Sequence, residues 1–334
     1  MPTCDGVPTV KLVRRKVLQL AAVVAASQVL PRLAWSSDYP VRPLQWIVGF
    51  PPGGGTDVIA REMARWLSDH LGQEVVVVNK PGAATNIAAQ AAINSPADGY
   101  TLLWIGTSNA INTTLYKTLP FDFFKSIAPV AGICVSPMVI VTNPSVTANN
   151  IADLIALAKT APGKITMASF GTGTISHVAG ELFKTMTGVD IVHVPYRGGA
   201  PMINDLIGGH VQVAVDVVAN ALPHIRSGAV RALAVTTSKR LDVLPNVSIV
   251  AETVPGYEVL VFTGVGVRAG TPDNIVARLN RAINAGLSDS SIQKRLADLT
   301  LTPIVLTPAE AGMHMRAEAE KWANVIRSAN IKAE

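Results

Sequence analysis

From Pro43 onward, short apolar runs rich in Val, Ile and Leu alternate with longer stretches in which apolar residues recur every three or four positions. A period of two, or a short unbroken apolar run, marks a strand, and a period near 3.6 marks a helix. The chain therefore predicts an α/β fold built from mainly parallel sheets flanked by helices. Residues 44–50 (LQWIVGF) read as a strand, 51–55 as a turn, and 57–71 as a helix with Val58, Ile59, Met63, Trp66 and Leu67 on one face. Gly72 ends that helix. A strand over 74–79, a turn at 80–82, a helix over 86–94, a turn at 96–99 and a strand over 100–105 complete a β-α-β-α-β run. Its crossovers are expected to be right-handed.

A second run of the same outline begins after Asn150: helix 151–160, strand 165–169, a Gly-rich turn, helix 177–187, strand 191–194, a further Gly turn and strand 211–217. Phe50-Pro51-Pro52-Gly53-Gly54-Gly55 and Phe170-Gly171-Thr172-Gly173-Thr174 both stand between a strand and a helix, an architectural repeat. Two apolar stretches, 127–143 and 230–267, read as links between two lobes, the second one holding strands over 231–236 and 260–267. Two crossings make the first lobe discontinuous. The expected domains are 37–137 with 255–334 as lobe 1 and 138–254 as lobe 2, with helices over 272–287, 290–299 and 308–328 completing or bracing lobe 1.

The first 36 residues break this pattern and read as an export signal. Lys11, Arg14, Arg15 and Lys16 precede a short apolar stretch, and Ala34-Trp35-Ser36 offers a cleavage site. Arg14-Arg15 gives it a twin-arginine look, although Val17 and Gln19 depart from that pattern and ordinary secretory export stays open. The segment changes the charge argument. The chain carries a formal +5, but residues 1–36 hold five Lys or Arg against one Asp, so the remainder is near +1. The basic pI of 9.3 is thus largely the signal's, and no basic stripe interleaved with aromatics points to nucleic acid. Cys134 stands alone once Cys4 is removed, so no internal disulfide is expected. With 49% hydrophobic and 15% charged residues, the chain has ample material for a core.

The candidate chemistry lies in the Gly-rich turns. Each opens a helix, where unpaired N–H groups and the positive dipole end favour an anion. In open α/β sheets ligands sit beyond the carboxyl ends of the strands, so two such turns facing each other suit a carboxylate in a cleft between the lobes. Other uses of glycine fail: residues 50–57 lack the Gly-Lys-Ser/Thr ending of a P-loop, and Gly171-x-Gly173-x-x-Ser176 lacks the third glycine of a dinucleotide fingerprint. The six histidines (70, 177, 193, 210, 224 and 314) show no metal-binding spacing, and His177 with Glu181 reads as a helical hydrogen bond or ion pair. No cofactor or metal is expected. The enzymatic alternative is an exported serine hydrolase: Gly106-Thr107-Ser108-Asn109-Ala110 differs from a nucleophile elbow in its last residue, with Asp216 and His224 or His314 to complete a triad.

At these loops the chain resembles the substrate-binding proteins of tripartite tricarboxylate transporters, the Bug receptor family. The stretches that carry the resemblance are YPVRPLQWIVGFPPGGGTDVIAR (39–61), VVNKPGAATNIAA (77–89), PADGYTLL (96–103), FGTGTISHVAGELFK (170–184), VPYRGGAPMINDLIGGHVQVAVD (194–216) and IRSGAVRALAVTTSKR (225–240). The resemblance implies a monomeric, non-enzymatic periplasmic binding protein of type II-like form, which closes on a small carboxylate and serves integral membrane transporter subunits. A ligand-sensing role in signalling shares the same pocket. Carried over by position, the implied binding residues are Phe50, Pro52, Gly53, Gly54 and Thr56, then Ala84 and Thr85, then Thr107, Ser108 and Asn109. The second lobe would add Gly171, Thr172, Thr174, Ser176, Arg197 and Asp216. Ala84-Thr85 stand where Gly-Gly is usual, which adds side chains at the cleft, and Pro245-Asn246-Val247-Ser248 also departs from the family pattern. Asp57 reads as a structural cap able to pair with Arg61.

Overall fold

The computed structural model describes residues 39–332; the export segment expected at 1–36 lies outside the described residues. The chain divides at Val41, and everything from Arg42 on forms one compact unit. Its first half runs β1 (Leu44–Val48), α1 (Gly55–Leu71), β2 (Val75–Asn79), α2 (Asn86–Ile93), β3 (Thr101–Gly106), α3 (Thr107–Leu115), α4 (Phe123–Ser126) and β4 (Ile127–Thr142). There follow α5 (Ile151–Thr160), β5 (Thr166–Ser169), α6 (Ile175–Thr187), β6 (Val192–Pro195), α7 (Gly199–Ile207), β7 (Val213–Val217), α8 (Val218–Arg226), β8 (Arg231–Val235) and β9 (Ser248–Ile249). The chain then returns through β10 (Leu260–Arg268), α9 (Asp273–Ser288), α10 (Ser290–Asp298), β11 (Thr302–Pro303) and α11 (Pro308–Ser328). No helix among the described residues is long and apolar enough to cross a membrane.

The strands join in the order β2-β1-β3-β10-β4-β7-β5-β6, an α/β architecture with a mixed sheet. β2, β1 and β3 are parallel, as are β6, β5 and β7, while β10 and β4 run antiparallel to their neighbours. β4 is sixteen residues long and changes partner midway: Ile127 to Pro137 pair with β10, and Met138 to Thr142 pair with β7. Its near-continuous apolar sequence follows from burial on both faces. Cys134 lies in this strand, fully buried, with its Sγ 3.2 Å from Thr263 Oγ1.

Two helices go beyond the sequence reading: α7 grows out of the stretch read as a Gly turn, and α8 falls in residues 218–226, to which that reading assigns no element. Pro201 stands in the first turn of α7, where a missing N–H costs nothing, and Pro223 lies inside α8. Helix ends follow the local signals elsewhere. Gly72 and Gly188 take left-handed φ of 72° and 68° and close α1 and α6.

The largest buried cluster joins Ile111 and Leu115 of α3 to Phe183 of α6, Tyr257, and Trp322 and Ile326 of α11. Tyr257 donates its hydroxyl to Ala179 O at 2.9 Å and meets Phe183 edge-on. The C-terminal helix, expected to brace the first lobe, thus also packs into the core around α6.

The central strands approach closely at glycines. A Cβ on Gly264 of β10 would lie 2.5 Å from Ala131 O of β4, and one on Gly106 of β3 would lie 2.6 Å from Phe262 O. Both obstacles are backbone atoms, which cannot swing aside. Gly264→Ala is therefore expected to destabilise the protein by about 1–3 kcal/mol, read as a lowered urea midpoint. An unchanged midpoint would contradict this packing.

Candidate functional site

The turn after β1 is fixed by one buried carboxylate. Asp57, in the first turn of α1, accepts from Gly53 N at 3.0 Å, Arg61 Nε at 2.9 Å and Asn79 Nδ2 at 2.9 Å. Those donors, Arg61 foremost, hold its pKa down to about 2. Asn79 Nδ2 also donates to Phe50 O at 3.0 Å, which ties the end of β2 to the turn. The Gly53 amide is consumed here, and among the described residues the amides of Gly54, Gly55 and Thr56 find no partner at the helix start. Pro52, Gly53 and Gly54 are exposed, while Phe50 and Thr56 are half-buried.

The turn after β2 is strained. Ala83, Ala84 and Thr85 have φ of 45°, 48° and 78°, a left-handed run that L-residues enter at roughly 1–2 kcal/mol each. Neighbouring side chains hold it. Asn109 Nδ2 donates to Thr85 Oγ1 at 3.1 Å, and Asn112 Nδ2 donates to Ala84 O at 2.6 Å and to Asn86 Oδ1 at 2.9 Å. Thr85 also fills the space beside Gly49, where a Cβ would come within 2.7 Å of the Thr85 Cβ. Asn109 Oδ1 in turn accepts from Gly106 N at 3.0 Å, so the turns after β2 and β3 form one bonded unit. Thr107 Oγ1 accepts from Phe262 N at 2.9 Å and donates to Glu318 Oε2 at 3.3 Å. Glu318, on α11, also accepts from Trp322 Nε1 at 2.9 Å.

In the second half, Gly171 and Gly173 have φ of 134° and 77°, and their amides are also spoken for. Gly171 N donates to Ser169 Oγ at 3.2 Å and Gly173 N to His177 Nδ1 at 3.0 Å. Thr174 caps α6, accepting from His177 N and donating to Gly171 O. Among the described residues, the first-turn amides of Ile175 and Ser176 find no partner, and Thr172 Oγ1 is buried without one. Ser176 donates to Val215 O, and so faces the sheet. Gly173 packs against the other half: a Cβ there would collide with Leu115 of α3.

His177 and His193 stack at 3.8 Å with 7° between their planes, and His193 Nε2 lies 2.7 Å from Ser169 Oγ. The Glu181 partner expected for His177 is 3.9 Å from its Nε2 and is itself bonded to Lys184 at 2.8 Å. Burial, foremost, lowers the pKa of both imidazoles to about 4. Asp216, at the end of β7, is fully buried; Oδ2 accepts from Asn220 at 2.7 Å and Oδ1 has no hydrogen-bond partner. Burial pushes its carboxyl up to about 7. Arg197 is exposed in the loop before α7.

The triad drawn from the sequence is not assembled. Asp216 binds Asn220, the His314 ring lies on Phe262, and among the described residues no hydrogen bond joins Ser108 to a histidine. The residues that hold the turns, namely Asn79, Asn112, His193, Asn220 and Glu318, were not singled out by sequence reasoning. Asn79 closes β2 and Asn220 lies in the first turn after β7, whereas His193 sits within β6 and Glu318 in the middle of α11, where no local pattern marks them.

Residues 59–331 match the model of the tripartite tricarboxylate transporter family receptors. The chain belongs to this receptor family. Among relatives, it is 38% identical over 300 residues to Protein BugT of Bordetella pertussis, covering 89% of this chain and 92% of BugT. Among solved structures, an R. palustris protein with adipate superposes with a TM-score of 0.82 at 37% identity, covering 88% of this chain and 99% of that one. MatC from Rhodopseudomonas palustris with bound malate gives 0.78 at 28% identity, covering 86% and 100%. The fold is thus the α/β form of the periplasmic binding proteins, a mixed sheet with helices.

The buried acid and the imidazole pair give this receptor opposing pH dependences. Between pH 6.5 and about 4 the unfolded chain protonates its histidines while the folded chain does not, so their contribution to stability is lost as pH falls through that window. Asp216 acts the other way: from 3.8 to about 7 the folded chain keeps a proton that the unfolded chain releases, so its contribution is lost as pH rises. Asp216→Asn removes the opposing limb. Thermal melts at pH 6.5, 5 and 4 are expected to show a steeper acid decline for this variant than for the native protein. Parallel curves would contradict the assignment.

Proposed function

We propose that this chain is a periplasmic, monomeric and non-enzymatic receptor that binds a small carboxylate between two lobes and delivers it to the membrane subunits of a tripartite tricarboxylate-type transporter. The lobes are 37–137 with 255–334, and 138–254; the change of partner along β4 between Pro137 and Met138 supports that division. The observation that carries the reading is the matched pair of glycine turns. Each follows a parallel strand and opens a long helix, and each leaves first-turn amides unengaged while its own glycine amide is tied back. Aligned peptide dipoles give each helix start about half a positive charge, which favours an anion.

The implied contacts are Phe50, Pro52, Gly53, Gly54, Thr56, Ala84, Thr85, Thr107, Ser108 and Asn109 from lobe 1, and Gly171, Thr172, Thr174, Ser176, Arg197 and Asp216 from lobe 2. Within this set, Gly53 and Gly171 serve through turn shape, since their amides are engaged. The adipate and malate held by the two solved neighbours make dicarboxylates the first class to test, with tricarboxylates, aromatic carboxylates and amino acids after them.

A thermal-shift panel of these acids, with neutral amides as controls, tests the reading. A true ligand at 100 times its Kd is expected to add about 2.7 kcal/mol of stability. Gly54→Phe is the matching substitution. A Cβ at Gly54 meets nothing nearer than Pro51 O at 3.8 Å, so the fold tolerates a side chain there while the anion site is filled. Affinity for the panel's best acid is expected to fall by about tenfold or more. Stabilisation by the amides as well as the acids, or native affinity in Gly54→Phe, would sink the site.

A further inference from the structure

Counted from Phe50 and from Phe170, the two turns correspond residue by residue. Three positions on, Gly53 and Gly173 share a left-handed φ, 83° and 77°. Gly54 and Thr174 then stand at the helix N-cap with φ/ψ of −76°/167° and −74°/162°. Seven positions on, Asp57 and His177 each occupy the third residue of the helix and reach back to the equivalent amide, Gly53 N to Asp57 Oδ2 at 3.0 Å and Gly173 N to His177 Nδ1 at 3.0 Å. Unlike side chains thus make the same bond at the same place in both halves, which points to a shared task.

The bond dictates the state of the imidazole. Nδ1 accepts an N–H, so it carries a lone pair and the ring proton sits on Nε2, on the side of Glu181. Flat stacking on His193 holds the ring, and His193 reaches the other glycine amide through Ser169 Oγ. The two histidines therefore tie down the amides of both Gly171 and Gly173, and the amides of Ile175 and Ser176 are the ones left at the start of α6. Charge sets the halves apart. Arg61 offsets the carboxylate of Asp57 at 2.9 Å, whereas on α6 Lys184 is bonded to Glu181. A neutral acceptor at position 177 leaves the positive end of α6 uncompensated.

We propose that His177 is a positioning residue for ligand binding, whose Nδ1 lone pair fixes Gly173 so that the free first-turn amides of α6 meet the ligand's carboxylate. This rests on the carboxylate reading of the two turns. His177→Asn keeps an acceptor near the place of Nδ1, and His177→Phe keeps a ring on His193 but offers no acceptor. With the purified protein, NMR-resolved exchange of the Gly173 amide is expected to quicken by about tenfold or more in His177→Phe and to stay near the native rate in His177→Asn. Calorimetry with adipate and with malate as probes is expected to show about a tenfold or greater loss of affinity in His177→Phe and near-native affinity in His177→Asn.

Native exchange or native affinity in His177→Phe overturns the proposal, as does equal loss in both variants. Should neither probe nor any other acid of the panel bind the native protein, the carboxylate reading itself fails, and with it the role in binding; the exchange data then decide separately whether His177 holds the turn. If His177→Phe does not fold, the scalar coupling across the Gly173 N–H to His177 Nδ1 bond in the native protein takes its place, and its absence overturns the assignment.

Discussion

The pairing of β4 with β10 on one side of Pro137 and with β7 on the other is the interaction on which the remaining structure hangs. Without it the two parallel triplets, β2-β1-β3 and β6-β5-β7, would have no common frame. The pairing is sterically demanding, because β10 meets β4 so closely that no Cβ is tolerated at Gly264, and β10 meets β3 as closely at Gly106. Its register fixes where each triplet ends. Since the turns spring from those strand ends, β4 and β10 set the positions of helix starts that lie far apart in sequence. Loops that must hold a ligand gain from being anchored on such a rigid frame.

At the turns themselves, local cost is met by polar side chains rather than by burial of apolar surface. The left-handed run from Ala83 to Thr85 would relax if left alone, and Asn109 and Asn112 of α3 hold it through both its side chain and its backbone. Asp57 performs a comparable service at the neighbouring turn, with Arg61 balancing its charge. Backbone strain concentrated in one loop and compensated by a bonded network is a common mark of a pre-organised site. The same network runs through Thr107 and Glu318 to Trp322, and so connects the loop after β3 with the C-terminal helix.

Much of this was legible in the sequence because period and punctuation agree. LQWIVGF followed by a Gly-rich turn and an amphipathic helix becomes β1 and α1, and the 170–187 stretch becomes the second turn and α6. Helices α7 and α8 each carry a proline, Pro201 and Pro223, a residue that disfavours a helix by composition, and only its position within the helix tells whether it does harm. The apolar stretch 127–143 reads in the sequence as a link, but its being a single strand shared by two sets of partners depends on contacts from residues more than 60 positions away. The turns' glycines were visible as residues. That several of their amides are already engaged was not, because the acceptors Asp57, Ser169 and His177 are identified only by geometry.

The buried thiol of β4 carries one more consequence. Beyond residue 36, Cys134 is the chain's sole cysteine, and burial pushes its pKa up to about 11, so the nucleophilic thiolate is scarce at neutral pH and shut away from reagents as well. Between residues 37 and 334 there is therefore no second thiol with which it could mispair during folding. Its sulfur becomes chemically visible only when β4 parts from its neighbours, which makes alkylation of this one atom a clock for the opening of the central sheet.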